Sequence, residues 1–408
     1  LVLFDPETLE EEVVESDPEG RVDLGFAAFS IATDELVATV YQDQKKRTYY
    51  RDAATQADQE FLEEKLPGSD VSVTSATLDD QSWLVLASSD VDPGTLYRFD
   101  RRTRQLDREY LVRERLPREH MAELTPIEYR SSDELPIPAY LMLPKGAVPK
   151  RLPLVVLPHG GPNARDTWGF KNLPQFLANR GYAVLLPNFR GSTGYGKAFL
   201  NAGNAEWGDK MQDDLSAGVR YLVKAGTVEA ERVGILGGSY GGYAVLAGLA
   251  FTPELYAAGV SIVGPSNLIT LLESIPPYWE AGRILLYTRV GNPSTPEGRA
   301  KLERQSPLHS ANRIRASLLV AQGANDPRVK KAESEQIVRA LRDHDLPVEY
   351  LLAEDEGHGF ARPMNNMAVF AAVERFLAKH LGGRFQEDAP EDVTARLAEL
   401  RVDPALLV

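Results

Sequence analysis

Val233-Gly-Ile-Leu-Gly-Gly-Ser-Tyr-Gly-Gly-Tyr-Ala-Val-Leu-Ala-Gly-Leu-Ala250 is the stretch on which the fold of this 408-residue chain turns. Val233–Leu236 reads as a strand, Gly237–Ser239 as a turn and Tyr240–Ala250 as a helix. The same alternation recurs on both sides. Strands are predicted at Leu154–Leu157, Tyr182–Leu186, Gly259–Val263, Ser317–Ala321 and Val348–Leu352, nearly all apolar, as strands buried on both faces should be. Helices are predicted at Pro174–Arg180, Gln212–Ala225, Ala332–Asp343 and Ala368–Leu381. Strands that alternate with helices indicate an α/β domain. A hairpin-like stretch, Ile127–Arg130 and Ile137–Met142 about Ser-Ser-Asp-Glu, leads into it.

The serine of Gly237-Gly-Ser239-Tyr-Gly241 therefore sits in a strand-to-helix turn, the setting of a nucleophile elbow. Glycines two before and two after it let the backbone turn sharply enough to lift the hydroxyl above the sheet, and the helix N-terminus favours developing negative charge. In the order Ser, Asp, His, the base lies toward the end of the domain. His120 and His159 precede the serine, His309 lies in a Ser-Pro-Leu-His loop, and His344 and His380 belong to amphipathic helices. His358, in Glu356-Gly-His-Gly-Phe360 directly after a strand, is the candidate base. Asp326, in Gly323-Ala-Asn-Asp-Pro-Arg328 after Ser317–Ala321, is the candidate that orients it, in preference to Asp355, Asp213 or Asp214. Pro158-His-Gly-Gly-Pro162 has the form of an oxyanion loop, so the N–H groups of Gly161 and Tyr240 are the candidate donors, with His159 in a structural role. These features indicate the α/β-hydrolase type.

Composition limits the alternatives. The formal charge of −14, from 45 basic and 59 acidic residues, disfavours nucleic acid or an anionic membrane as the main partner. Zero cysteines exclude disulfides, thiolate catalysis and cysteine-ligated metals, and the histidines stand singly, so neither cofactor nor metal is expected. Gly191-Ser-Thr-Gly-Tyr-Gly196 lacks the lysine arrangement of a phosphate loop. No apolar stretch is long enough to cross a bilayer, and the expected compartment is cytoplasmic. The chain starts at Leu1 in mid-pattern without Met, so it is expected to be part of a longer protein.

The first hundred or so residues alternate apolar and polar positions between Asp, Gly and Pro clusters, as short strands and turns do. Leu1-Val-Leu-Phe-Asp5, Thr48-Tyr-Tyr-Arg-Asp52 and Leu96-Tyr-Arg-Phe-Asp100 repeat at spacings of 47 and 48, and Glu35–Val40 overlies Trp83–Ser88. A period of roughly 40–50 residues is that of β-propeller blades. Two blades and the last strand of a third are expected, an incomplete ring. The expected organisation is a partial β-propeller over 1–118, an α/β-hydrolase domain over 119–383, and a tail over 384–408 that is either a docking helix or a frayed end.

Taken together, Pro158–Pro162, Asn188-Phe-Arg-Gly-Ser-Thr-Gly-Tyr-Gly196, Gly208-Asp209 with Asp213-Asp214, Gly237–Gly242, Tyr278-Trp-Glu280, Ser306-Pro307, Gly323–Val329 and Glu356–Phe360 resemble the prolyl oligopeptidase family of serine peptidases, particularly its acylaminoacyl-peptidase and dipeptidyl-peptidase-like branches. The resemblance spans about Leu124 to Gly383. It implies a propeller before the hydrolase domain, peptide substrates of limited size, Ser239, Asp326 and His358 as the triad, Gly161 and Tyr240 as oxyanion donors, and Arg328 as a contact to a carbonyl of the bound peptide. Lys330-Lys331 departs from the family pattern, and the tail extends past its usual end.

The function expected is hydrolysis of short peptides or acyl-peptides through an acyl-enzyme on Ser239. A carboxylesterase on the same triad, or a catalytically silent propeller protein, are the alternatives. Exo or endo action, the specificity pocket and a homo-oligomer are left open.

Overall fold

The structure, a computed structural model, describes residues 1–407. It divides into two units: Leu1–Leu124 with Thr167–Gln175 and Gly194–Gly196, and Thr125–Asp166 with Phe176–Thr193 and the chain from Lys197 onward.

The first unit is built of antiparallel sheets. β1 (Val2–Phe4) and β2 (Glu11–Val13) form a two-stranded ribbon. β3 (Leu24–Phe29), β4 (Leu36–Gln42) and β5 (Lys46–Tyr50) form a three-stranded sheet. β6 (Asp70–Ala76), β7 (Ser82–Ser88), β8 (Thr95–Asp100) and β9 (Gln105–Leu111) form a four-stranded one. The sequence repeat falls on like positions, Thr48–Tyr50 in β5 against Leu96–Arg98 in β8, and β4 against β7. The sheets are open, and no closed propeller is formed among the described residues. Between them lies α1 (Ala53–Lys65), capped by Asp52, whose carboxylate accepts the N–H of Thr55 at 2.6 Å. Strand-and-turn patterning does not predict this helix. Only Phe61 and Leu62 give it an apolar face, so its periodicity is weak; its signals are the Asp cap and the run of Ala, Gln and Glu. Leu62 joins Val71, Trp83, Val85 and Phe99 in a small core.

The second unit carries a nine-stranded sheet in the order β10-β11-β13-β12-β14-β15-β16-β17-β18. Its strands are β10 (Leu124–Arg130), β11 (Pro136–Met142), β12 (Leu152–Val156), β13 (Ala183–Pro187), β14 (Val228–Gly238), β15 (Ala258–Ile262), β16 (Ser317–Gly323), β17 (Val348–Ala353) and β18 (Arg401–Val402). From β13 across to β17 all pairings are parallel; β11 and β18 flank them antiparallel. The central strands are almost wholly buried, which is why they are legible as apolar runs.

The connecting helices are α2 (Asn172–Asn179), α3 (Gly196–Asn201), α4 (Lys210–Lys224), α5 (Tyr240–Phe251), α6 (Leu268–Glu273), α7 (Arg283–Arg289), α8 (Pro296–Gln305), α9 (Lys331–Asp343), α10 (Pro363–Leu381) and α11 (Glu391–Leu400). Every residue of α5 from Tyr240 to Ala250 is buried, so this helix belongs to the core. Of the residues after Gly383, those of α11 and β18 are docked rather than frayed. Val393, Leu397 and Leu400 of α11 are buried, and β18 pairs with Tyr350 and Leu351 of β17.

The topology fixes where a ligand can enter. The chain goes from β12 to β13 on one side, then returns to β14 on the other side of β12. In an open α/β sheet the crevice beyond the carboxyl ends of strands at such a reversal is the binding place. The loop after β12 and the turn after β14 both open there.

Candidate active site

Ser239 follows β14 and precedes α5 with φ 58° and ψ −121°, a conformation disfavoured for a residue with a Cβ. Its surroundings hold it there. Its N–H donates to Ile262 O at 2.9 Å, and its carbonyl accepts the N–H of Tyr243 at 3.0 Å. The flanking glycines are required by close approach. A Cβ on Gly237 would lie 2.5 Å from the carbonyl carbon and oxygen of Gly241, and one on Gly241 would collide with the carbonyl oxygen of Pro158.

The structure brings together the three residues that the sequence separates by 119 and 32 positions. His358 Nε2 lies 3.0 Å from Ser239 Oγ, and His358 Nδ1 lies 2.7 Å from Asp326 Oδ2. Asp326 is 2% exposed. Its other oxygen, Oδ1, accepts the N–H groups of Arg328 at 2.8 Å and Val329 at 3.0 Å, so the carboxylate is fixed from both sides. The loops that carry Asp326 and His358 touch through backbone. A Cβ at Gly323 would collide with Gly357 O, and Asn325 N–H donates to Glu356 O at 2.9 Å.

Gly161 and Tyr240 line one cavity with Ser239, and among the described residues neither amide donates to an acceptor of the chain. Two free N–H groups beside a serine hydroxyl can bind an oxyanion. The cavity, of about 300 Å³, is walled mostly by apolar side chains: Leu271, Leu272, Ile275, Leu286 and Val290, with Trp207. Arg328 lies on its wall, with the guanidinium 5.9 Å from the centroid of the Trp279 ring.

A sequence model of the prolyl oligopeptidase family matches residues 168–384, more than half of the chain. The chain belongs to the prolyl oligopeptidase family. A model of the X-Pro dipeptidyl-peptidase family also matches, over residues 36–274. The dipeptidyl aminopeptidase BIII of Pseudoxanthomonas mexicana is 48% identical over 373 residues, covering 90% of this chain and 54% of that protein. Dipeptidyl peptidase family member 6 of Caenorhabditis elegans is 39% identical over 394 residues, covering 91% and 53%. The chain thus spans about half the length of these curated relatives. Among solved structures, a puromycin-hydrolysing peptidase of Mycobacterium tuberculosis superposes with a TM-score of 0.73 at 26% identity, covering 87% of this chain and 53% of that one.

Within this member of the prolyl oligopeptidase family, His159 is held away from the triad. Its Nε2 lies 2.9 Å from Ser192 Oγ, its Nδ1 2.8 Å from Gly160 O, and its ring stacks on Phe189 at 4.4 Å. Phe189 in turn touches Tyr240, at 5.2 Å between ring centroids. The Asp355 carboxylate pairs instead with Arg362 and Arg396. Asp214, buried on α4, binds Arg190, which holds the loop after β13 and also meets Asp133 at 2.8 Å.

That last pair carries a pH dependence. The Arg190 guanidinium holds the Asp133 carboxyl well below the usual range. A carboxyl depressed in the folded state binds its proton less tightly there than in the unfolded chain. Its stabilising contribution is therefore complete above the unfolded value, about pH 4, and is lost as pH falls through the folded one. Asp133→Asn should flatten the dependence of melting temperature on pH below about pH 4, and an unchanged acid slope would contradict the assignment.

Sequence patterning missed the pocket wall. No element was predicted between Gly259–Val263 and Ser317–Ala321, yet α6 and α7 lie there and supply Leu271, Leu272, Leu285 and Leu286. The legible signal was a cap: the Asn267 side chain accepts the N–H of Ile269 at 3.0 Å. Glu333 was missed too. Buried on α9, it accepts the N–H groups of Ser266 at 3.0 Å and Asn267 at 2.9 Å and so fixes the start of α6; burial pushes its carboxyl up.

Proposed function

We propose that this protein is a serine peptidase that cleaves short peptides through an acyl-enzyme on Ser239, with dipeptidyl or acylaminoacyl specificity. One observation carries the proposal: the continuous chain of hydrogen bonds from Ser239 Oγ through His358 to Asp326, opening onto a cavity with two free amides. In this reading His358 Nε2 takes the serine proton while Oγ bonds to the scissile carbonyl carbon. The Gly161 and Tyr240 amides hold the oxyanion, Asp326 steadies the imidazolium, and His358 then gives its proton to the leaving amine. Water repeats the sequence on the ester and frees the acid. Arg328, exposed at the cavity wall beside Trp279, is placed to donate to a substrate carbonyl.

The apolar lining supports a P1 side chain that is apolar and uncharged. Dipeptidyl or N-acyl aminoacyl anilides with apolar P1 should be turned over faster than the same compounds with Asp or Lys at P1. The same comparison with short acyl esters tests the carboxylesterase alternative: efficient ester cleavage without anilide cleavage would favour the esterase. For the first unit, the 47- and 48-residue spacings and the matched positions of β4 with β7 and β5 with β8 support a reading as propeller blades that restrict substrates to short peptides. A ladder of peptides of increasing length tests that reading, since undiminished cleavage of the longest members would count against it.

A further inference from the structure

The residues after Gly383 have no part in the reaction described above, yet they contact the loop that carries the histidine. We infer that α11 braces this loop, with Arg396 acting through Asn365 and Glu356 as a positioning residue for His358. The inference rests on the reading of His358 as the base.

Glu356 opens the histidine loop. Its side chain is 5% exposed, and its carboxylate accepts the N–H groups of Ala361 at 3.2 Å and Arg362 at 2.8 Å. One side chain therefore fastens the beginning of the loop to its end, at the point where α10 starts. The same carboxylate accepts Asn365 Nδ2 at 2.9 Å. Asn365, 2% exposed on α10, also donates to Asp355 Oδ1 at 3.0 Å and accepts Arg396 Nε through its Oδ1 at 2.7 Å. Its amide is thus oriented from both ends, nitrogen toward two carboxylates and oxygen toward a guanidinium. Arg396 Nη2 completes the circuit on Asp355 at 2.9 Å. The position of Arg396 is set by Val393, Leu397 and Leu400, whose buried stripe on α11 it flanks at i+3 from Val393 and i−4 from Leu400.

A surface ion pair alone would contribute little, since solvent screens it and holding two long side chains in place costs entropy. The termination of this network gives it a different role. It ends on the main-chain N–H groups three and four residues after His358, and the histidine stands between Gly357 and Gly359, the latter at φ 120°. A loop with glycine on both sides of its functional residue has little stiffness of its own, so the direction of the imidazole depends on what fastens the loop. The reaction is sensitive to this direction, because misplacing a reacting group by about 1 Å can cost about a hundredfold in rate.

The test compares Arg396→Met, which keeps the aliphatic stem, with Arg396→Lys, Asn365→Ala and the Arg396→Met/Asn365→Ala double variant. Readouts are kcat and KM on a peptide anilide, the rate at which a fluorophosphonate labels Ser239, and the melting temperature. Arg396→Met should lower kcat and the labelling rate together by about tenfold, with KM within about twofold; Arg396→Lys should recover most of the loss; and the double variant should be no slower than Asn365→Ala. Unchanged kcat in Arg396→Met, whatever its melting temperature, would overturn the inference. So would losses that multiply in the double variant. His358→Ala keeps the two readings apart: turnover retained there removes the base, whereas a silent His358→Ala beside a fully active Arg396→Met removes only the brace.

Discussion

Ser239→Ala is expected to lower kcat on a dipeptidyl or acyl-aminoacyl anilide by about six orders of magnitude, with KM little changed and the fold intact. In the proposed mechanism the effect is large because the hydroxyl oxygen is the atom that bonds to the substrate, with no neighbouring group to replace it. Some catalysis over water should remain, about a thousandfold or more, because the amides of Gly161 and Tyr240 still face the carbonyl. Stability should scarcely move. Alanine shares with serine the cost of φ 58° and ψ −121°, so the substitution neither relieves nor adds strain at the turn. Steady-state kinetics and a melting curve on the same preparation check this. A variant that retains a hundredth of the parent kcat would exclude Ser239 as nucleophile.

Asp326→Asn should lower kcat by about four orders of magnitude for a different reason. Oδ1 of the parent accepts the N–H groups of Arg328 and Val329, a role that the carbonyl oxygen of asparagine fills equally well. The amide nitrogen then stands where Oδ2 faced His358 Nδ1. It can only donate, so Nδ1 must accept and the ring proton moves to Nε2. That proton points at Ser239 Oγ, and the imidazole cannot take another from it. The loop should keep its place, because both main-chain bonds survive, and the loss should appear in kcat with little change in melting temperature. A loss below about tenfold would mean that another group orients His358.

The parts of this account differ in how far the sequence foretells them. The sheet was legible because strands such as Leu154–Leu157 and Ser317–Ala321 are buried on both faces and read as plain apolar runs. Strand ends differed from the predicted ones by a few residues at most, as with β14, which starts at Val228 rather than Val233. Ser239, Asp326 and His358 were legible because each lies in a loop directly after a strand, and the fold supplies the convergence that spacing does not display. The pocket wall was opaque because α6 and α7 are short and their apolar side chains face a cavity in part, which blurs helical periodicity. Asn365, Glu356 and Arg396 were opaque for another reason. They are polar residues that read as surface, and only their meeting across 40 positions makes Asn365 a buried link. The repeat in the first unit was legible as a spacing, and the structure gives it open antiparallel sheets rather than a ring.

The most direct test of the account is to treat the folded protein and Ser239→Ala with a fluorophosphonate, map the adduct by mass spectrometry, and assay both proteins in parallel on free and N-acylated aminoacyl and dipeptidyl anilides. The account predicts a single adduct on Ser239, no adduct on the variant, and anilide turnover that disappears with it. A folded protein that takes no label and turns over no anilide, or one whose label and turnover persist without Ser239, would contradict it.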